Sequence, residues 1–193
     1  MGKIEKFLIW IKEASLKLLK KFNFRVSSSV CDSLGIPSYL HRKGRDIDNH
    51  FIDEFVYRRF LASAEKSDWM ANNQISSSIF EVKNDSCNRS KYSNSPEDVL
   101  YNIRVEDEGK HYFSWGVLSI NTKAFDVFTF KINETTRTFS LQLSHEPLEC
   151  MFPHSEIIVL ENGSVVDTSK PKSVKAAIRD FLITECEIVK LPS

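Results

Sequence analysis

Glycine is scarce in this chain, with 6 residues in 193. Neither a phosphate-cradling P-loop nor a dinucleotide-binding glycine fingerprint occurs, so no bound nucleotide cofactor is expected. Cysteine numbers four, at positions 31, 87, 150 and 186, with no C-x-x-C pair among them. Zinc sites draw their ligands from short paired spacings, so no metal is expected, and four isolated thiols fit a reducing cytosol. Long apolar runs are missing too. Phe7–Ile11 is the longest near the start, too short for a signal-peptide core or a membrane span. Met1-Gly2 is followed by Lys6 where a myristoylation motif wants Ser or Thr. A soluble, cytoplasmic chain is the expectation. Catalytic signatures are also absent: there is no G-x-S-x-G elbow and no H-E-x-x-H, and His145-Glu146 and His154-Ser155-Glu156 fit neither.

Net charge is zero but unevenly placed. Residues 1–25 carry seven cationic side chains against Glu5 and Glu13, which leaves the remainder acidic by five. An acidic body does not track a phosphate backbone, so no extended nucleic-acid surface is expected. Residues 1–24 read as an amphipathic helix appendage. Ile4, Phe7, Leu8, Ile11, Leu18, Leu19 and Phe22 form its apolar stripe and lysines its other face. Docking on its own domain or on a second copy is the plainest use of such a helix; a protein partner comes next and a membrane surface last.

Residues 25–46 are a connector, broken by serines, Gly35, Pro37 and the basic spot His41–Arg45. Residues 47–193 form one domain. A helix is expected over 47–63, with Phe51, Phe55, Val56 and Phe60 on its apolar face and Arg58 and Arg59 at its edge. A short strand follows over 79–83, then a polar loop over 84–94. Ser95-Pro96-Glu97-Asp98 is a capped helix start, its helix ending near Gly109. The period then changes to two, predicting strands over 112–120, 125–132, 137–143 and 157–160. Asn162-Gly163 predicts a tight hairpin. A helix over 173–184 and a final strand over 187–191 complete an α+β fold, a mostly antiparallel sheet with packed helices.

Two constellations could carry chemistry. Glu81-Val82-Lys83 on a strand, with Asp68 upstream, has the E-x-K form of metal-dependent nucleases, though exposed strand edges also produce it by chance. The second is a sparse polar set: Glu54, Arg58, Arg59, Ser76, Ser77, Ser78, Ser86, Arg89, Ser90 and His154. Guanidinium groups grip a phosphate or carboxylate bidentately, hydroxyls add bonds, and histidine supplies an acid or base. Equally, Glu54 and Arg58 stand four apart, where a helix would pair them on its surface.

The stretches Glu54-Phe-Val-Tyr-Arg58-Arg59-Phe60, Ile75-Ser-Ser-Ser-Ile-Phe80, Ser86-Cys-Asn-Arg89-Ser90, His154-Ser-Glu-Ile157 and Val189-Lys-Leu-Pro192 resemble, in their order, a family of small uncharacterised bacterial proteins. Cys87-Asn88 departs from the apolar flank usual in that family. The resemblance implies a domain over residues 50–192 and a site, but no reaction. The leading functional expectation is a non-enzymatic interaction protein, an accessory, inhibitor or immunity-type component of a bacterial or phage system. A nucleotide- or NAD-directed enzyme built on Arg58, Arg59 and His154, with Ser77, Ser78, Arg89 and Glu54 as ligand contacts, is the alternative. A metal-dependent nuclease is the second.

Overall fold

A computed structural model describes residues 28–51, 53–61, 75, 79–80, 82, 85–107, 110–132, 134–166 and 170–193. The expected N-terminal helix, the serines at 76–78, Asp68, Glu81 and Lys83 lie outside the described residues.

Among the described residues, eight antiparallel strands make one curved sheet, a half-barrel. They are β1 (Phe55–Phe60), β2 (Asp85–Arg89), β3 (Gly116–Asn121), β4 (Val127–Ile132), β5 (Thr135–His145), β6 (His154–Glu161), β7 (Ser164–Val165) and β8 (Cys186–Lys190). Their order across the sheet is β4-β5-β6-β2-β1-β3-β8, with β7 folded back on β6. Helix is limited among the described residues to α1 (Ser28–Ser33), α2 (Lys172–Thr184) and single 3₁₀ turns. The helix-packed α+β expectation is therefore corrected: this is a sheet fold with one long helix.

Three misread segments account for the difference. Residues 55–60 are the strand β1, paired to β3 along its whole length, not a helix. Its aromatic and β-branched composition suits a pleated surface better than the helical spacing that Phe51, Phe55, Val56 and Phe60 suggested. Residues 85–89 are a buried strand between β1 and β6, not a polar loop. Residues 96–100 make one 3₁₀ turn where a helix was expected. The start signal itself works: the Asp98 carboxylate accepts from the Asn94 and Ser95 N–H groups, and from the Tyr39 hydroxyl. Tyr101 then turns extended and ends it. No strand forms at Ile79, Phe80 or Val82.

The two faces of the sheet bury different clusters. Val56 and Phe60 of β1, Leu118 and Ile120 of β3, and the alternating Phe139, Leu141 and Leu143 of β5 meet Val174, Ile178 and Leu182 of α2. That helix follows the period of 3.6 expected of it, and Phe181 stacks on Phe128 with centroids 3.9 Å apart. On the opposite face, Val99, Leu100 and Val117 pack with Tyr57, Tyr112 and Trp115. Beside them lies a third cluster of Leu34, Ile36, Leu40 and Met151.

Cys31 and Cys150 are joined by a disulfide across 119 residues, with Cα atoms 5.2 Å apart. This corrects the reading of four isolated thiols; Cys87 and Cys186 alone are free. Linear spacing carries no sign of the pair, because the sheet brings its two ends together. The basic spot 41–45 is likewise built in: His41 is buried, and the Arg45 guanidinium lies over the Phe152 ring and donates to the Tyr39 carbonyl. No described helix is long and apolar enough to cross a membrane.

Candidate functional site

Strands β1 and β2 pair only at Val56↔Arg89 and Tyr57↔Asn88. Beyond that point they splay, so Arg58, Arg59 and Phe60 lose their neighbour on one side while keeping β3 on the other. The gap opens into a cleft of about 520 Å³. Its walls are the β1 and β2 ends, the chain from Val99 to Arg104, and the turn carrying Leu148 and Met151. That volume falls within the range of small-molecule sites.

Strand alternation sends Arg58 and Arg59 to opposite faces, and the splay lets both reach the cleft. Arg58 lies on the α2 side over the Phe80 ring. It pairs with buried Asp85 at 2.9 Å and donates to the Ile79 and Ser86 carbonyls, so it bridges the two strand ends. Its Nε is buried without a partner among the described residues.

Arg59 is different. Its guanidinium donates to the Val99 carbonyl at 3.2 Å and sits 4.3 Å from the centre of the Tyr112 ring. No carboxylate pairs with it among the described residues. Burial lowers its pKa first; the Tyr112 hydroxyl works the other way, and the charges of Arg104 and Arg58 lower it further. Arg104 follows Asn102, which ties down the loop: its Nδ2 donates to Asp107 at 2.7 Å and its Oδ1 accepts from the Arg104 N–H. The Arg104 side chain is exposed at the cleft with no ion-pair partner among the described residues. Trp115 and Tyr101 add aromatic surface.

His154 also lines the cleft, from the start of β6. Its Nδ1 lies 2.7 Å from the Glu146 carbonyl oxygen and its Nε2 3.4 Å from Ser86 Oγ. Asn88, opposite His154 in the register, spends its amide on the Met151 sulfur at 3.1 Å, a weak acceptor. Cys87 turns to the other face; burial pushes its thiol well above the usual range, which disqualifies it as a nucleophile.

Of the polar set drawn from the sequence, the structure brings together Arg58, Arg59, Ser86 and His154. Glu54 and Arg89 are not with them. Arg89, fully buried, donates through Nη2 to Glu54 at 2.6 Å and to the His50 carbonyl at 2.8 Å, and through Nη1 to the Asp48 carbonyl. It is sandwiched by Phe51 and Tyr92. This is a structural knot holding Asp48, His50 and Glu54 against β2. As a strand neighbour rather than a helix residue, Glu54 has no turn on which to meet Arg58. Ser77 and Ser78 lie outside the described residues.

Arg104, Asn88 and Trp115 carry no signal in the linear sequence; only the folded register gathers them. Among the described residues no cluster of acidic, histidine or cysteine side chains is arranged to hold a metal ion. No family model, curated protein or solved structure matches the chain.

Proposed function

We propose that the cleft binds a small organic anion in which a phosphate or carboxylate sits beside a planar ring, as in a nucleotide. The observation that carries this is Arg59, a guanidinium inside a cleft with no carboxylate to neutralise it among the described residues and two further arginines beside it. Arg58 is offset by Asp85, but the charges of Arg59 and Arg104 are not offset by a carboxylate among the described residues, and such positive charge costs stability unless an anion neutralises it. Tyr101 and Trp115 offer faces on which a ring can stack.

Calorimetric titration with AMP and with inorganic phosphate tests the reading. AMP should bind, and more tightly than phosphate alone. Exposed Arg104→Ala should weaken AMP binding several-fold without altering the fold, and Arg59→Ala by tenfold or more. An absence of heat at millimolar ligand, or an unchanged affinity in both variants, would sink it.

The protein-partner expectation rests on the lack of catalytic and cofactor signatures, on neutral overall charge and on the N-terminal helix, which lies outside the described residues. One observation favours it independently: β8 ends the sheet with Ile188 and Val189 exposed, and Leu191 just after it is exposed too. Light scattering after chromatography of wild type and Val189→Lys tests it; a monomer in both cases removes self-association as the explanation. As for compartment, the Cys31–Cys150 bond favours oxidising surroundings over the cytoplasmic placement expected from the thiol spacing.

A further inference from the structure

We propose that Ser86 and His154 form a nucleophile–base pair that hydrolyses carboxylic esters whose acyl part bears an anionic group. The proposal rests on the anion-binding reading of the cleft and adds a reaction to it.

The sheet register creates the pair. Asn88 stands opposite His154 and Ser86 opposite Glu156, so Ser86 and His154 are diagonal neighbours on one face of β2 and β6. A carbonyl oxygen only accepts, so the 2.7 Å contact to Glu146 places the imidazole proton on Nδ1. Nε2 then presents its lone pair to Ser86 Oγ, 3.4 Å away. The backbone makes this orientation rigid: the Glu146 N–H donates to the His154 carbonyl, and the His154 N–H donates to the Met151 carbonyl. A nucleophile, a base and a third group fixing the base's tautomer are the three parts of an activated hydroxyl. The Ser86–His154 separation is longer than a strong hydrogen bond, as is common before substrate tightens such a pair. Ser86 Oγ has no other partner among the described residues.

Two donors line the same cleft as Ser86 and His154. Among the described residues the Asn88 amide is held only by a thioether, and Arg59 has no carboxylate. Either can receive the negative charge that develops on a carbonyl oxygen. The sequence of bonds is conventional acyl transfer. Ser86 Oγ attacks the ester carbon while Nε2 takes its proton, and the carbonyl electron pair moves onto oxygen. Collapse breaks the bond to the alkoxide, which leaves with the proton from Nε2. Water then attacks the acyl-serine with His154 again taking the proton. Carboxylic acid departs and Ser86 regains its hydrogen.

The experiment uses the full chain. A fluorophosphonate probe should add one phosphonyl group, read by intact mass, and peptide mapping should place it on Ser86. Ser86→Ala should abolish labelling, and His154→Gln should slow it more than 100-fold with an unchanged circular-dichroism spectrum. p-Nitrophenyl hemisuccinate should be cleaved faster than p-nitrophenyl acetate, and Arg59→Ala should erase that preference. No label on Ser86 at millimolar probe, or a wild-type labelling rate in His154→Gln, overturns the proposal and leaves an ordinary cross-strand polar pair. AMP titration of the wild-type chain separates the two readings. Binding without labelling refutes the esterase pair alone; labelling without binding refutes the anion site and, with it, the preference for anionic esters.

Discussion

Removing the Cys31–Cys150 bond is the perturbation whose size follows most directly from the structure. The bond closes a loop of 119 residues, so by chain entropy it destabilises the unfolded state by about 5 kcal/mol. The native state keeps other ties across the same junction. The Phe152 N–H donates to the Leu40 carbonyl at 2.7 Å and the Arg42 N–H to the Glu149 carbonyl at 2.8 Å, within the cluster of Leu34, Ile36 and Met151. These survive reduction, so the segment should stay docked while global stability drops. A Cys31→Ala/Cys150→Ala double variant should lose roughly 3–5 kcal/mol, which for a chain of this length lowers Tm by about 6–20 °C. Urea denaturation and calorimetry read the loss; alkylation after unfolding without reductant should modify Cys87 and Cys186 only. Four alkylated cysteines in the wild-type chain, or a Tm of the double variant within about 2 °C of wild type, would rule out a stabilising Cys31–Cys150 bond. Cys150 also sits in the turn whose Leu148 and Met151 line the cleft, and because that turn stays docked, AMP affinity in the folded variant should stay close to that of wild type.

Other consequences are equally checkable. A Cβ built on Gly116 would lie 2.3 Å from the Phe60 ring opposite it, so Gly116→Ala should cost about 1–3 kcal/mol through overpacking. Adding Phe60→Leu should recover part of that in a double-mutant cycle. Glu54→Leu alone strands the buried Arg89 guanidinium and should cost about 3–5 kcal/mol, whereas Glu54→Leu/Arg89→Met should be far less damaging. Neither change should alter AMP binding, because the pair lies outside the cleft. Burial holds the His145 imidazole below its ordinary pKa of 6.5. The unfolded chain therefore takes up that proton first, and the stability His145 contributes is complete above pH 6.5 and lost as pH falls through the lowered folded value. The urea midpoint should fall between pH 7.5 and 5.5, and His145→Gln should remove most of that fall.

The sequence is most legible where a strand or helix has one clean apolar face. Phe139, Leu141 and Leu143 alternate with polar neighbours and form β5 as expected; Val174, Ile178 and Leu182 form the buried stripe of α2. Asn162 and Gly163 both take positive φ, 50° and 79°, at the expected hairpin. Legibility fails where burial is polar. Asp85, Asn88 and Arg89 read as solvent-facing loop, yet they are buried in β2 because Arg58 and Glu54, far upstream, neutralise the two charges. The cleft is hidden for a related reason: it arises from the splay of β1 from β2, a long-range property no local pattern encodes. Arg59 and His154 are visible as candidates, while the cleft they share with Arg104 is not.

A tungstate-soaked crystal of the full chain shows whether the cleft holds an anion, since tungstate mimics phosphate and scatters anomalously. An anomalous peak within hydrogen-bond reach of Arg59, with Arg104 turned toward it, is the predicted result. A peak only on surface lysines, or none in the cleft, would contradict an anion site there.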